Sequence, residues 1–221
     1  MINSLKGAVF DLDGTLVDSL FFWDYIWPLL GEKYLGNPGF RPDAEDDKVI
    51  RAMTIKSSTR LLYEKYGIGT SAEALYEEMD RIIDEFYLDR VEIKDGVVEF
   101  LDYCLSKNIK MCIASATAKR HLDIVSRKFG FDKYFEHILS CADIGKEKTE
   151  PDIYLFALEK LGTLIEETCV FEDSLVPFRT ASNAGFKTVI IYDRYNIGQE
   201  EMRQGAAEYI GEGETLRKLI K

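Results

Sequence analysis

The chain has 221 residues, of which 46% are hydrophobic, and its 28 Lys and Arg against 39 Asp and Glu give a formal net charge of −11. That length and apolar content suffice for one sizeable core with a smaller module, and they argue against a disordered chain. The negative charge disfavours nucleic acid and anionic membrane surfaces as partners, so a site for an anionic small molecule would need local positive charge from a metal, a lysine or a helix N-terminus.

Hydropathy and cysteine spacing disfavour two further classes of protein. No stretch approaches the roughly 20 apolar residues of a membrane helix, and residues 1–7 lack a long apolar run, so we expect a cytoplasmic protein with no membrane partner. The four cysteines lie far apart with no C-x-x-C pair, which disfavours a zinc site and favours reduced, buried thiols. The two histidines, His121 and His137, are expected to lie outside catalysis.

Short apolar runs that end in polar residues predict buried strands along the chain. The first runs from Lys6 to Gly14 and ends in acids and glycine. Similar runs follow at Lys110 to Ser115, His137 to Ser140, Thr168 to Asp173 and Lys187 to Asp193. Helical patterns separate them at Val97 to Ser106, Ala118 to Phe129, Ile153 to Leu161 and Phe178 to Ala184. This alternation predicts an α/β fold with a Rossmann-like parallel sheet flanked by helices.

The segment between the first strand and Gly96 is too long for an ordinary crossover. Residues 16–91 carry helical periodicity and almost no strand signal, so we predict a small all-helical cap domain inserted after the first strand, with an α/β core formed by 1–15 and 92–221. Its helices are expected near Ser19 to Leu35, Asp43 to Ala52, Ile55 to Tyr66 and Ser71 to Leu88. The Trp23 and Trp27 pair is expected to lie in the core of this module.

Reactive side chains stand where the predicted strands end. These are Asp11 and Asp13 after the first strand, Ser115 with Thr117 after the second, and Glu172 with Asp173 after the fourth. Lys148 lies on an intervening loop. Ligands of a parallel sheet bind beyond these strand ends. Converging carboxylates would repel one another without a cation, and carboxylates without Cys or His favour a hard ion such as Mg²⁺.

The spacing of Asp11 and Asp13 suits two different tasks at one substrate. Residues two apart on a strand point to the same face. One carboxylate can attack phosphorus to form an aspartyl-phosphate, while the second protonates the leaving oxygen and later deprotonates water. A metal and Lys148 would neutralise the transferred oxygens, and Ser115 would donate a hydrogen bond to one of them. Lys146, on the same loop, is the alternative to Lys148, and Ser115 could instead cap the following helix.

Four motifs in chain order resemble those of haloacid dehalogenase-like phosphatases. They are Asp11-Leu12-Asp13-Gly14-Thr15-Leu16, Ser115 at the end of an apolar strand, Lys148-Thr149-Glu150-Pro151-Asp152-Ile153-Tyr154, and Phe171-Glu172-Asp173-Ser174. The resemblance implies that Asp11 is the nucleophile and Asp13 the acid/base, and that Ser115 and Lys148 bind the transferring phosphoryl group. It also implies that the helical module is a mobile cap that closes over the site.

The resemblance further implies a metal site and an activity. The metal would be held by Asp11, by the backbone carbonyl of Asp13, and by Asp173 with Glu172. We therefore expect a Mg²⁺-dependent phosphatase, a monomer, that hydrolyses a small phosphorylated metabolite such as a sugar phosphate. Thr117, Arg51 and Lys56 are the candidate substrate-binding residues.

Two other functions remain as alternatives. The first is a sugar-phosphate mutase similar to β-phosphoglucomutase, a branch with a His ten residues after the second Asp and a Lys three residues after the motif Ser. This chain has Trp23 and Ala118 at those positions, which favours a phosphatase. The second is a non-catalytic phospho-receiver, which also gathers acids, a hydroxyl and a lysine at strand ends. Receivers are shorter and lack an inserted helical module.

Overall fold

The computed structural model describes residues 5–221, except for the side chains of Lys48 and Ala52. The chain forms two compact units. The sheet unit holds the described residues through Ser19 together with Val91–Lys221, and the helical unit is Leu20–Arg90. Residues 1–4, which the predicted core range includes, lie outside the described residues. Within residues 5–221, none of the helices combines the length and apolarity needed to cross a membrane.

The sheet unit is organised around one parallel sheet. The strands of the described chain are β1 Gly7–Phe10, β2 Val17–Asp18, β3 Glu92–Ile93, β4 Lys110–Ser115, β5 His137–Ser140, β6 Thr168–Glu172, β7 Lys187–Ile191 and β8 Glu208–Ile210. Six of them form a sheet in the order β5-β4-β1-β6-β7-β8, with every neighbouring pair parallel. The chain runs outward from the central strand β1 to β5 and then returns through β6 to β8, so the strand order reverses beside β1.

The central strands β1 and β6 are buried along their whole length. All four residues of β1 and all five of β6 are buried, as expected for strands packed on both sides. Phe10 and Phe171 are paired in register, and their rings stack with centroids 4.3 Å apart. This packing fixes the two strands whose ends carry the acidic motifs.

The helices fall in two groups, one in each unit. Those of the helical unit are α1 Phe22–Leu35, α2 Ala44–Ala52, α3 Ile55–Tyr66 and α4 Ala72–Asp89. Those of the sheet unit are α5 Val97–Ser106, α6 Lys119–Phe129, α7 Cys141–Ile144, α8 Asp152–Leu161, α9 Leu175–Asn183 and α10 Gln199–Gly205. Helix α8 buries Tyr154, Ala157 and Leu161 in a cluster with Val9 and Val170 of the sheet, and this packing holds the start of α8 next to the sheet.

The helical unit has its own hydrophobic core. Trp27, Leu30, Leu62 and Met79 are fully buried or nearly so in one cluster. Trp23 packs against this cluster and stacks on Trp27 with ring centroids 5.1 Å apart, which confirms that the tryptophan pair belongs to the core. Because the unit buries its apolar side chains among its own helices, its fold does not depend on strands.

The predicted parallel sheet and its helices are confirmed, and three short strands were missed. Strands β2 and β3 form an antiparallel pair, Val17 with Ile93 and Asp18 with Glu92. They lie inside or next to residues 16–91, where the sequence predicts helices and almost no strand. β8 adds a parallel edge strand of three residues. Elements of two or three residues are too short for a period of two to register in a sequence. The four cysteines are free and buried, as expected.

Candidate active site

Three buried carboxylates meet at the carboxyl ends of β1 and β6. Asp11 follows β1, while Glu172 ends β6 and Asp173 follows it. The two strands are adjacent and in register through Phe10 and Phe171, and the Asp11 backbone N–H donates to the Phe171 carbonyl at 2.9 Å. One carboxylate oxygen from each acid lies within 4.8 Å of the others. The register between neighbouring strands thus brings together acids that are 161 residues apart in the chain.

Lys148 is buried in contact with two of these acids. Its Nζ donates to Asp11 Oδ1 at 2.5 Å and to Glu172 Oε1 at 2.6 Å, and the Tyr154 hydroxyl donates to the same Glu172 oxygen at 2.8 Å. Burial alone would lower the pKa of Lys148, but the negative charges of Asp11 and Glu172 raise the pKa above its usual range. Lys146 is exposed, so Lys148 is the lysine that reaches the carboxylates.

The same burial works against ionisation of the acids. Burial raises the pKa of Asp11 to about 7, against the opposing charge of Lys148 and with a contribution from Glu172. Burial also raises the pKa of Asp173 well above its usual range, and the charges of Asp11 and Glu172 add to the shift. A cation placed among the three carboxylates would lower these pKa values and restore the ionised forms.

The donor set fits a hard divalent cation. The cluster is made of three carboxylates without Cys or His, which is the oxygen chemistry that Mg²⁺ and Ca²⁺ prefer. Glu172 Oε2 is buried and has no hydrogen-bond partner among the described residues. A buried carboxylate oxygen left in this state is costly, and coordination of a metal would satisfy it. The residues therefore fit a metal, with Asp11, Glu172 and Asp173 as its carboxylate ligands.

The side chain of Asp13 is engaged by two hydroxyls rather than by the three-carboxylate cluster. Asp13 Oδ1 accepts from Ser19 Oγ at 2.6 Å, and Oδ2 accepts from Thr117 Oγ1 at 2.5 Å. Gly14 follows with φ of +79°, a conformation that favours glycine, so the chain turns sharply just after the aspartate. Thr117 therefore contacts Asp13, and its role in substrate binding stays a prediction.

Ser115 is buried at the end of β4, two residues before Thr117. Its Oγ accepts from the Thr117 backbone N–H at 3.1 Å, while the hydroxyl proton can still donate to a ligand. The following helix begins at Lys119, and Ala118 occupies its N-cap position. Ser115 thus does not occupy the N-cap of that helix, and its role in phosphoryl binding stays a prediction.

Arg51 and Lys56, the other candidate substrate residues, belong to the helical unit. Arg51 is half-buried, and its guanidinium pairs with Asp24 at 2.8 Å and with Asp47 at 2.9 Å. Lys56 is exposed in the first turn of α3. Their assignment to substrate binding therefore stays a prediction.

Several side chains near the cluster carried no signal in the sequence. Ser19 contacts Asp13, and Tyr154 contacts Glu172, as described above. Lys94 Nζ donates to the Gly14 carbonyl at 2.5 Å and pairs with Asp193 at 2.9 Å. Of these residues only Tyr154 falls in a recognised motif. Ser19 lies only six residues after Asp13, whereas Lys94 and Asp193 come from distant segments that no local spacing connects to the site.

Comparison with known proteins identifies the family. The model of the haloacid dehalogenase-like hydrolase family matches residues 5–185. A phosphorylated carbohydrates phosphatase from Thermotoga maritima is 27% identical over 97% of this chain and 98% of the relative. A (DL)-glycerol-3-phosphatase 2 from Arabidopsis thaliana is 25% identical over 90% of this chain and 85% of the relative.

A solved structure resembles this chain in both sequence and fold. A Thermotoga maritima protein assigned provisionally as a beta-phosphoglucomutase superposes with a TM-score of 0.79 at 27% identity, over 97% of this chain and 98% of that chain. The family match covers most of the sequence, including all four motifs, and the shared architecture extends over nearly the whole chain. The chain therefore belongs to the haloacid dehalogenase-like hydrolase family.

Proposed function

We propose that this hydrolase is a Mg²⁺-dependent phosphatase that releases phosphate from a small phosphorylated metabolite through an aspartyl-phosphate on Asp11. The observation that carries the proposal is the buried cluster of Asp11, Glu172 and Asp173 with Lys148 against two of its members. Relatives that match this chain over most of their length are named as phosphatases, which supports assignment of the chain as a phosphoric monoester hydrolase. Mg²⁺ is the hard cation that best suits a carboxylate site acting on a phosphate ester.

Each side chain has a task in the proposed reaction. An Asp11 oxygen attacks phosphorus, and the bond from phosphorus to the leaving oxygen breaks while Asp13 gives that oxygen its proton. Asp13 then removes a proton from water, which attacks phosphorus and releases phosphate and free Asp11. Lys148 and Ser115 bind the phosphoryl oxygens. When bound, the metal supplies positive charge that favours ionised carboxylates and stabilises the transferring group.

The substrate is proposed to be a phosphorylated carbohydrate or polyol. The relatives named above act on phosphorylated carbohydrates and glycerol 3-phosphate. We assign residues 16–91 as the cap that selects among such compounds, with Thr117 on the core and Arg51 and Lys56 on the cap as candidate substrate contacts. We also propose that the protein works as a cytoplasmic monomer without a nucleic acid partner, consistent with its net charge of −11.

The two alternatives are less well supported. A β-phosphoglucomutase-type mutase would need counterparts of the histidine and lysine that Trp23 and Ala118 replace. A non-catalytic phospho-receiver would not explain why a relative that matches nearly the whole chain is named as a phosphatase. Purified protein that interconverted hexose 1- and 6-phosphates faster than it released phosphate would establish the mutase instead.

The activity can be tested on a panel of sugar and polyol phosphates, with and without Mg²⁺, by release of inorganic phosphate. We expect release that depends on Mg²⁺ and is abolished in Asp11→Asn. Asp132→Asn, at an exposed position away from the cluster, is the matched control and should retain activity. Equal release by the wild type and Asp11→Asn would remove Asp11 from the mechanism.

A further inference from the structure

Asn196 makes two hydrogen bonds to one acid of the cluster. Its Nδ2 donates to Asp173 Oδ2 at 2.5 Å and to the Asp173 backbone carbonyl at 3.1 Å. Asn196 lies on the loop between β7 and α10, 23 residues beyond Asp173. This loop is outside residues 5–185, the range that matches the family. The family motifs therefore do not account for the contact.

The Asn196 side chain is supported by a polar network within its own loop. The Asn196 backbone N–H donates to the Asp193 carbonyl at 3.1 Å. Gln199 Nε2 donates to the carbonyls of both Asp193 and Asn196, at 2.9 and 3.2 Å, and Gln199 Oε1 accepts from the Tyr209 hydroxyl at 2.8 Å. The network runs from the edge strand β8 through α10 to the loop, so Asn196 approaches Asp173 from a braced backbone.

The contact restricts how Asp173 can act as a ligand. A carboxylate that rotates freely offers either oxygen to a metal, whereas an amide held on Oδ2 fixes the plane of the group. Groups that hydrogen-bond to ligating carboxylates orient them, and their loss typically weakens metal affinity or activity by about 10–100-fold. An amide suits this task because it donates without bringing a charge to a site that already contains three acids.

We infer that Asn196 is a positioning residue that holds Asp173 in the orientation required for binding the divalent cation. This inference rests on the proposed metal-dependent function. The residue acts through Asp173 and does not touch the substrate. Its loss should therefore weaken Mg²⁺ binding while leaving the KM for the phosphate ester unchanged. Because the ligands themselves remain, a high Mg²⁺ concentration should restore kcat.

The test measures binding of Mg²⁺ alone to the full chain by calorimetric titration. We expect Asn196→Ala and Asn196→Leu each to raise the Kd for Mg²⁺ by about 10–100-fold. Asn196→Leu keeps nearly the same volume and so separates the hydrogen bonds from packing. Gln199→Ala, which removes the support without changing Asn196 itself, should raise the Kd by a smaller factor. Asn183→Ala, at the exposed end of α9, should bind as the wild type does.

Activity measured against Mg²⁺ concentration gives the second readout. We expect the Mg²⁺ concentration for half-maximal activity to rise in Asn196→Ala and Asn196→Leu, with kcat recovered at saturation. Wild-type affinity in both variants would overturn the role of Asn196 while leaving the phosphatase proposal intact. Absence of Mg²⁺ binding by the wild type would overturn both. If Asn196→Ala fails to fold, as judged by circular dichroism, Asn196→Leu and Gln199→Ala decide the question.

Discussion

The ammonium group of Lys148 lies 2.5 Å from Asp11 Oδ1 and 2.6 Å from Glu172 Oε1, with both partners buried. Burial disfavours the ionised forms of Asp11 and Asp173, and the positive charge of Lys148 opposes that effect. The lysine therefore stabilises the metal-free fold as well as being a candidate ligand for the phosphoryl group. These two tasks can be separated by experiment.

Lys148→Met should reduce both activity and stability. Removing one partner of a buried ion pair costs about 3–5 kcal/mol because the remaining charge is left uncompensated, and we expect a loss of this order in the unfolding free energy of the metal-free protein. Loss of a group that stabilises the transition state typically lowers kcat by about 10²–10³-fold. Chemical denaturation and steady-state phosphate release measure the two effects.

The matched control is Lys146→Met, since Lys146 is exposed two residues away on the same loop. It should change stability by less than about 0.5 kcal/mol, as surface substitutions usually do, and should leave kcat unchanged. If Lys146→Met proved to be the damaging substitution, the assignment of the phosphoryl-binding lysine would pass to Lys146.

The raised pKa of Asp11 predicts that the metal-free protein loses stability as the pH rises. The carboxyl titrates near 3.8 in the unfolded chain and at about 7 in the folded protein. Between those values the folded state holds a proton that the unfolded chain has released, so stability is greatest at the acid end and falls towards about pH 7. Asp11 alone should contribute a decrease of about 1 kcal/mol per pH unit, and Asp173, whose pKa is also raised, adds to it; denaturation in the presence of a chelator measures the sum.

Two comparisons connect this pH dependence to the site. Asp11→Asn removes one of the two carboxyls whose pKa is raised, the other being Asp173, and should make the profile less steep. Saturating Mg²⁺ should raise the melting temperature more at pH 7 than at pH 5, because the metal binds the ionised ligands and must displace protons at the lower pH. A wild-type profile that rises between these pH values would contradict the proposed environment of Asp11.

The sequence predicted the sheet and most of its reactive strand ends because those signals are local. An apolar run that stops at Asp11 or Ser115 marks a strand end, and the parallel topology then places such ends at one edge. The contacts of Lys94 and Asn196 depend on segments that are distant in the chain, so their side chains carry no local signature. The hydroxyl partners of Asp13 depend on the turn after Gly14, which pattern alone does not locate.

Asp13→Asn should separate the two halves of the reaction. The leaving group of p-nitrophenyl phosphate needs no proton, so phosphoryl transfer to Asp11 should continue while activation of water fails. We expect a rapid burst of p-nitrophenol followed by turnover slowed by about 10²–10⁴-fold, recorded by stopped-flow absorbance.

Asp18→Asn, at an exposed position five residues further on, is the control and should show wild-type turnover. Slow turnover of Asp13→Asn without a burst would mean that formation of the phosphoenzyme also fails. Asp13 would then be needed for the first step even with a good leaving group, contrary to the role assigned here.

Lys94 connects Asp193 to the backbone of the turn that follows Asp13. Lys94 Nζ donates to the Gly14 carbonyl and to Asp193, and the side chains are only 17% and 7% exposed. Lys94→Met would leave Asp193 buried without its counterion, which costs about 3 kcal/mol or more. Asp193→Asn in the same chain removes the unpaired charge, so we expect the double variant to be more stable than Lys94→Met alone.

The double variant also separates electrostatics from positioning of the loop. It relieves the unpaired charge but does not restore the hydrogen bond to Gly14, whose carbonyl lies next to Asp13. Stability should therefore recover while kcat stays below that of Asp193→Asn alone. A double-mutant cycle of unfolding free energies, with kcat measured for all four proteins, tests this separation. Additive free energies would show that the two residues do not act as a pair, whereas full recovery of kcat would show that the bond to Gly14 is dispensable for catalysis.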